Sequence, residues 1–144
     1  LTDELALWTT SGDIVVGNYS GYSDVVQMTS NKVDSSMSRN LSTAGYENIT
    51  VSFSLAAVGF KNKDEAVVEW FDSTSWHELL HIRNKDPLGD QQFHKFPADE
   101  PYYFLLPSAD NNPDFAIRFR LMNHGGTSSA LVDLKNLKVT GDPI

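Results

Sequence analysis

Apolar residues occupy every second position in the stretch Ile49-Thr50-Val51-Ser52-Phe53-Ser54-Leu55-Ala56-Ala57. Side chains alternate between the two faces of a β-strand, so this period of two predicts a strand with one buried and one polar face. A second such strand is predicted at residues 115–121, where Arg118 and Arg120 lie on the face opposite the apolar positions. We expect that charged face to be solvated.

Further along the chain, the apolar positions Ala130, Val132 and Leu134 are followed by Leu137 and Val139. The parity changes there, which predicts a β-bulge in the segment Lys135-Asn136. Weaker strand patterns bounded by turn residues lie at 13–17, 24–29, 33–41, 65–72 and 102–107. Many short strands without a long helical stripe predict an all-β chain folded as an antiparallel two-sheet β-sandwich.

Length and composition limit the possible functions. A chain of 144 residues is a usual size for one domain, so residues 1–144 are predicted to form a single module. Its first residue is Leu rather than Met, and we therefore expect a module excised or processed from a longer secreted protein. No apolar run is long enough for a membrane span, and membrane insertion is not expected. A net charge of −8 argues against nucleic acid as a partner. The absence of cysteine excludes disulfides and thiol catalysis.

The segment His77-Glu78-Leu79-Leu80-His81 has the H-E-x-x-H pattern of zinc metallopeptidases. Two imidazoles four residues apart come within about 6 Å of each other on one helical face. On a strand they lie about 13 Å apart, too far to share one zinc ion. Ser75 and Glu78 fit a helix capping box, whereas the turn residues Ser73-Thr74 favour a β-hairpin with a strand from Trp76 to Arg83. In that strand His77, Leu79, His81 and Arg83 would share one face.

A zinc peptidase needs more than this pentapeptide. The metzincin extension would place Gly at 84 and His at 87, but the chain has Asn84 and Pro87. Other third ligands, Glu100 and His94, have no persuasive sequence context. We therefore interpret the pentapeptide as a coincidental match on a strand, and we expect no enzyme activity.

Four stretches resemble, in order, the secreted β-sandwich modules of the MAM-like and jelly-roll carbohydrate-binding type. In chain order they are residues 42–53, the segment Val68-Glu69-Trp70-Phe71-Asp72-Ser73-Thr74-Ser75-Trp76, residues 106–119 and residues 132–141. The resemblance implies a jelly-roll-like sandwich and a non-catalytic, extracellular accessory module. Its expected partners are a carbohydrate or a cell-surface molecule, together with other domains of the same chain. It also implies one structural calcium ion near the termini, with Glu4 and Asp133 as ligands, and no organic cofactor.

Glycan binding in such modules depends on aromatic rings that stack on sugars. The residues predicted to bind the ligand are Tyr19, Tyr22, Tyr46 and Trp76. The rings of Trp70, Phe53, Phe115 and Phe119 are instead assigned to the core. Two alternative functions stay open at this point: a structural or adhesive spacer domain, and the zinc metallopeptidase.

Overall fold

The computed structural model describes residues 7–19, 21–30, 33–61, 63–99, 102–124 and 130–144. Within these ranges lie eleven strands: β1 (Thr9–Ser11), β2 (Asp13–Tyr19), β3 (Tyr22–Thr29), β4 (Ser35–Asn40), β5 (Tyr46–Val58), β6 (Glu65–Phe71), β7 (Trp76–Arg83), β8 (His94–Phe96), β9 (Phe104–Leu105), β10 (Ala116–Met122) and β11 (Leu131–Pro143). In the described part of the chain, no helix reaches the length and hydropathy that a transmembrane crossing requires.

The strands form two antiparallel sheets. One has the order β1-β4-β10-β6-β7, and the other has the order β2-β3-β11-β5-β8, with the short β9 also paired to β5. The pairs β2–β3 and β6–β7 are hairpins, whereas other neighbours are distant in sequence, as when β11 lies between β3 and β5. The predicted fold class, an antiparallel two-sheet β-sandwich of the jelly-roll type, is confirmed.

The core lies between the sheets and is built from alternate residues of the long strands. The ring of Phe53 on β5 meets that of Phe119 on β10 edge-on, with centroids 5.6 Å apart. Phe53, Phe115 and Phe119 are at most 1% exposed, and Trp70 is 7% exposed. The assignment of these four rings to the core is therefore confirmed. Burying a large aromatic side chain contributes about 1.5–3 kcal/mol, so this alternation is a principal source of stability.

The predicted bulge in the last strand is also confirmed. The pairing of β11 with β5 shifts register between Lys135 and Lys138. Asn136, inside the shift, has a φ of 55°, a left-handed conformation that Asn tolerates better than most residues. The extra residue keeps both Leu134 and Leu137 packed toward the core.

The strand predicted at residues 102–107 is largely wrong. Tyr102 has a φ of 64° and its N–H donates to the carbonyl oxygen of Asp99 at 2.9 Å, which closes a turn. Only Phe104 and Leu105 pair with β5, and a 3₁₀ turn follows at Pro107–Ala109. Alternation in the sequence therefore does not predict a full strand here, because the chain pairs with β5 over only two residues.

Candidate functional site

The pentapeptide His77-Glu78-Leu79-Leu80-His81 lies on strand β7, as predicted. The preceding turn is fixed by Asp72, whose Oδ1 accepts the backbone N–H groups of Thr74 at 2.7 Å and Ser75 at 2.8 Å. The other carboxylate oxygen of Asp72 is 2.6 Å from Nε2 of His77. The hydrogen bond from His77, and next those from the backbone, hold the pKa of Asp72 well below its usual range.

The sequence predicts that His77 and His81 share one face of β7, and this prediction is wrong. The pairing of β6 with β7 shifts register between the pair Val68–Leu80 and the pair Glu69–Glu78. His77 pairs with Trp70 and stacks on its ring at 4.7 Å on the core side. His81 pairs with Val67 on the outer side. The two imidazoles therefore lie on opposite faces of a strand and cannot ligate one zinc ion in this fold.

The outer surface of the five-stranded sheet carries a cluster that we call the arginine face, formed by Glu69, Trp76, Arg118 and Arg120. The chain neighbours of Glu69, Arg118 and Arg120 point to the core, so these three side chains project outward. Trp76 pairs with Phe71, which follows the core residue Trp70 and lies on the same outer side. Glu69 Oε1 accepts hydrogen bonds from Nε of Arg120 at 2.7 Å and from Nε of Arg118 at 3.1 Å. Nη2 of Arg118 lies 3.0 Å from the same oxygen. One carboxylate thus fixes two guanidinium groups.

The ring of Trp76 belongs to the same cluster. The Cζ atom of Arg118 lies 4.0 Å from the centroid of the Trp76 ring, a cation–π contact. The ring of Phe71, opposite Trp76 on β6, packs at 5.2 Å with a tilt of 44°. The indole is therefore held from two sides and remains only partly buried.

Beyond the arginines, the face continues as a row of hydroxyl groups. Ser38 and Ser36 on β4 pair with Arg118 and Arg120, and β1 adds Thr9 and Ser11 next to those serines. Cross-strand partners share a face, so the hydroxyls line the same outer surface. The contacts with Glu69 use only part of the five N–H donors that each guanidinium carries. The face thus offers fixed donors, acceptors and the aromatic ring of Trp76.

Tyr22 lies on the other sheet. Its ring is 45% exposed and meets the ring of Phe93 edge-on at 5.0 Å. Nζ of Lys135 lies 3.1 Å from the centroid of the Tyr22 ring, and desolvation lowers the pKa of this lysine. The ammonium thus occupies one face of the Tyr22 ring, as the guanidinium of Arg118 does at Trp76. Tyr19 pairs with Tyr22 through the backbone, and its side chain lies outside the described residues.

Tyr46 occupies a third surface, at the start of β5. It is 46% exposed and lines a cleft of about 230 Å³ together with Leu41, Ile49, Val139 and Gly141. Tyr22, Tyr46 and Trp76, the three predicted residues whose side chains are described, therefore lie on separate surfaces. Of these three, Trp76 is the one surrounded by polar side chains held in fixed positions.

The predicted calcium ligands can be compared with the structure only in part. Glu4 lies outside the described residues. Asp133 is 4% exposed on the outer side of the six-stranded sheet, where its Oδ1 accepts the amide N–H of Gln27 at 2.8 Å. Burial raises the pKa of Asp133. Over the ranges described, no group of three or more His, Asp or Glu side chains could hold a metal ion. Asp133 alone therefore does not form a calcium site, and the calcium remains a prediction.

The sequence interpretation missed Glu69 as a site residue and expected Arg118 and Arg120 to be solvated. Their side chains are 25% and 32% exposed and that of Glu69 is 11% exposed, so the three form a half-buried ionic cluster. A signal was present in the sequence: Glu69 interrupts an apolar strand, and a carboxylate in that position requires a cationic partner.

Comparison with known proteins adds information on the fold. No protein-family model matches the sequence, and no curated protein matches it. A solved family 61 carbohydrate-binding module in complex with β-1,4-galactotriose is similar, with a TM-score of 0.62 at 11% identity, over 96% of this chain and 90% of the module. The enzymatically active domain of tailspike protein 4 of bacteriophage CBA120 has a TM-score of 0.53 at 11% identity, over 96% of this chain and 20% of that one.

These identities are low, so the likeness establishes the fold and not a family or a ligand. Neither structure is a MAM domain, and the MAM-like part of the sequence resemblance is not confirmed. The chain has the jelly-roll β-sandwich fold that is also found in carbohydrate-binding modules.

Proposed function

We propose that this chain is a non-catalytic carbohydrate-binding module and that the arginine face binds the sugar. The observation that carries this proposal is the fixed array of Trp76, Arg118, Glu69 and Arg120 on an exposed sheet surface. A pyranose has an apolar face and a rim of hydroxyl groups. An aromatic ring beside paired donors and acceptors matches both of these features.

Preorganisation makes the array suitable for binding. Ordering a long side chain on binding costs about 0.5–1.5 kcal/mol, and the ion pairs have already fixed both arginines in the free protein. Both arginines contact Oε1 of Glu69, and within the described residues Oε2 has no arginine contact, so the cluster can accept as well as donate. A ligand would therefore meet groups that need little rearrangement.

The similar fold of a module solved with β-1,4-galactotriose supports the choice of ligand class. As further parts of the proposal, the module acts outside the cell, next to other domains of the same protein, and holds polysaccharide rather than cleaving it. The predicted calcium belongs to the same proposal, and elemental analysis of the purified protein tests it.

The experiment measures binding of neutral oligosaccharides by isothermal titration calorimetry, with β-1,4-galactotriose, cellotetraose, xylotetraose and mannotetraose as probes. We expect at least one to bind and Trp76→Ala to weaken that binding at least tenfold, as buried tryptophans at interfaces often do. Tyr46→Ala is the matched control, because it removes an aromatic ring from another surface. Equal losses in both variants, or binding by none of the probes, would contradict the proposal.

A further inference from the structure

A second cleft lies on the outer side of the six-stranded sheet, the sheet opposite the arginine face. We call it the lysine cleft; its volume is about 490 Å³. The residues that matter for its chemistry are Lys95, Lys138, Tyr102, Tyr103, Thr50 and Thr140. None of them belongs to the arginine face, so the two surfaces can be tested separately.

Strand register explains why both lysines point into this cleft. Lys95 on β8 pairs with Ser54, and Lys138 on β11 pairs with Ser52. Both serines lie on the side of β5 that faces away from the core, between buried residues. The two ammonium groups therefore project from strands on either side of β5 toward the same outer surface.

The walls and floor of the cleft carry aromatic rings and hydroxyl groups. Tyr102 and Tyr103 are 44% and 42% exposed, and Nζ of Lys95 lies 4.8 Å from the centroid of the Tyr102 ring. The floor carries the hydroxyls of Thr50 and Thr140, which hydrogen-bond to each other across the sheet. Rings at the rim and hydroxyls on the floor provide stacking and hydrogen bonding for one ligand.

The charge of the cleft is opposite to that of the whole chain. The protein carries a net charge of −8, yet no carboxylate is found among the described lining residues. Within the described ranges, neither Lys95 nor Lys138 has a carboxylate at ion-pair distance. Two ammonium groups with no counter-charge in the described part of the chain, beside a partly apolar wall, favour an anionic ligand.

We propose that the lysine cleft binds an anionic saccharide, distinct from the neutral sugar proposed for the arginine face. The tyrosines and threonines recognise the sugar ring, and the two lysines recognise its carboxylate or sulfate groups.

The test titrates the ¹⁵N-labelled protein with three probes: tetragalacturonate, its methyl ester and a sulfated heparin tetrasaccharide. We expect a charged probe to shift the amide signals of Thr50, Lys138 and Thr140, and the methyl ester to bind at least tenfold more weakly. Binding of tetragalacturonate alone assigns a uronate ligand, and binding of the heparin probe alone assigns a sulfated one. If neither charged probe shifts these signals, or if the methyl ester binds as tightly as the acid, the proposal is overturned.

Variants locate the interaction. Lys95→Ala and Lys138→Ala should each weaken binding about tenfold, the usual size of one charge-assisted contact. Lys61→Ala removes the same charge from an exposed loop and should change the affinity less than twofold. Equal losses in all three variants would show a net-charge effect and overturn the site. Trp76→Ala should leave binding of the charged probe unchanged, because Trp76 does not line the lysine cleft. The arginine-face proposal can therefore fail without affecting the result of this test.

Discussion

The central perturbation is Glu69→Ala, which removes the carboxylate that holds Arg118 and Arg120. Breaking one partner of a fully buried ion pair costs about 3–5 kcal/mol. Here the side chains of Arg118 and Arg120 are 25% and 32% exposed, so the released guanidinium groups can turn toward water. We therefore expect a loss of about 2 kcal/mol in the free energy of unfolding, which lowers Tm by about 6–8 °C in a domain of this size.

A double-mutant cycle separates the ion pair from other effects of the substitution. Unfolding in urea is measured for Glu69→Ala, Arg120→Ala and the double variant, and we expect a coupling energy of about 1 kcal/mol. Glu78→Ala is the control, because Glu78 is an exposed glutamate on the adjacent strand, and its loss should cost less than about 0.5 kcal/mol. A coupling energy below about 0.3 kcal/mol would refute the reasoning, since the two side chains would then act independently.

Three further predictions concern titration and backbone conformation. Asp72→Asn should lower Tm at pH 7, because the hydrogen bond from His77 depresses the pKa of Asp72 in the folded state. The difference in Tm between wild type and variant should shrink as pH falls below about 4 toward that depressed pKa. A difference in Tm that does not depend on pH would contradict this prediction. Asp133→Asn should raise Tm at pH 7, because burial raises the pKa of Asp133 and disfavours its charged form. The gain in Tm should vanish below about pH 4, where Asp133 is protonated in both the folded and the unfolded wild type. A loss of stability at pH 7 would count against this account. Asn136→Val should cost about 1–2 kcal/mol in chemical denaturation because of the left-handed backbone at the bulge, whereas Asn136→Gly should be nearly neutral; equal costs would show that side-chain contacts matter more than φ.

The strands were predictable wherever one face is uniformly apolar. The alternation runs from Ile49 to Leu55 in β5 and from Ile117 to Leu121 in β10, and in β11 the change of parity at Lys135-Asn136 marks the bulge. The bulge in β7 could not be found in the same way. Leu79 and Leu80 are both apolar, so a shift of one residue leaves the pattern equally plausible, and the faces of His77 and His81 depend on pairing with β6.

For the arginine face and the lysine cleft, the sequence indicated the types of residue that bind sugars but not which residues lie together. Glu69 and Arg118 are 49 positions apart in sequence, and they meet because β10 lies beside β6. Similarly, Lys95 and Lys138 converge because β8 and β11 flank β5. Strand order determines such encounters, and the hydrophobic pattern of a single sequence does not reveal that order. The aromatic residues were therefore identified individually, while the surfaces that they share were not.

The most direct test of the arginine face is an NMR titration that follows its own side chains. The indole Nε1–H of Trp76 and the Nε–H groups of Arg118 and Arg120 are observed in ¹⁵N-labelled protein while β-1,4-galactotriose or another neutral oligosaccharide that binds is added. The account predicts that these three signals shift together and saturate at one common Kd. Saturable shifts confined to the cleft of Tyr46 or to the lysine cleft, with these three signals unmoved, would contradict it.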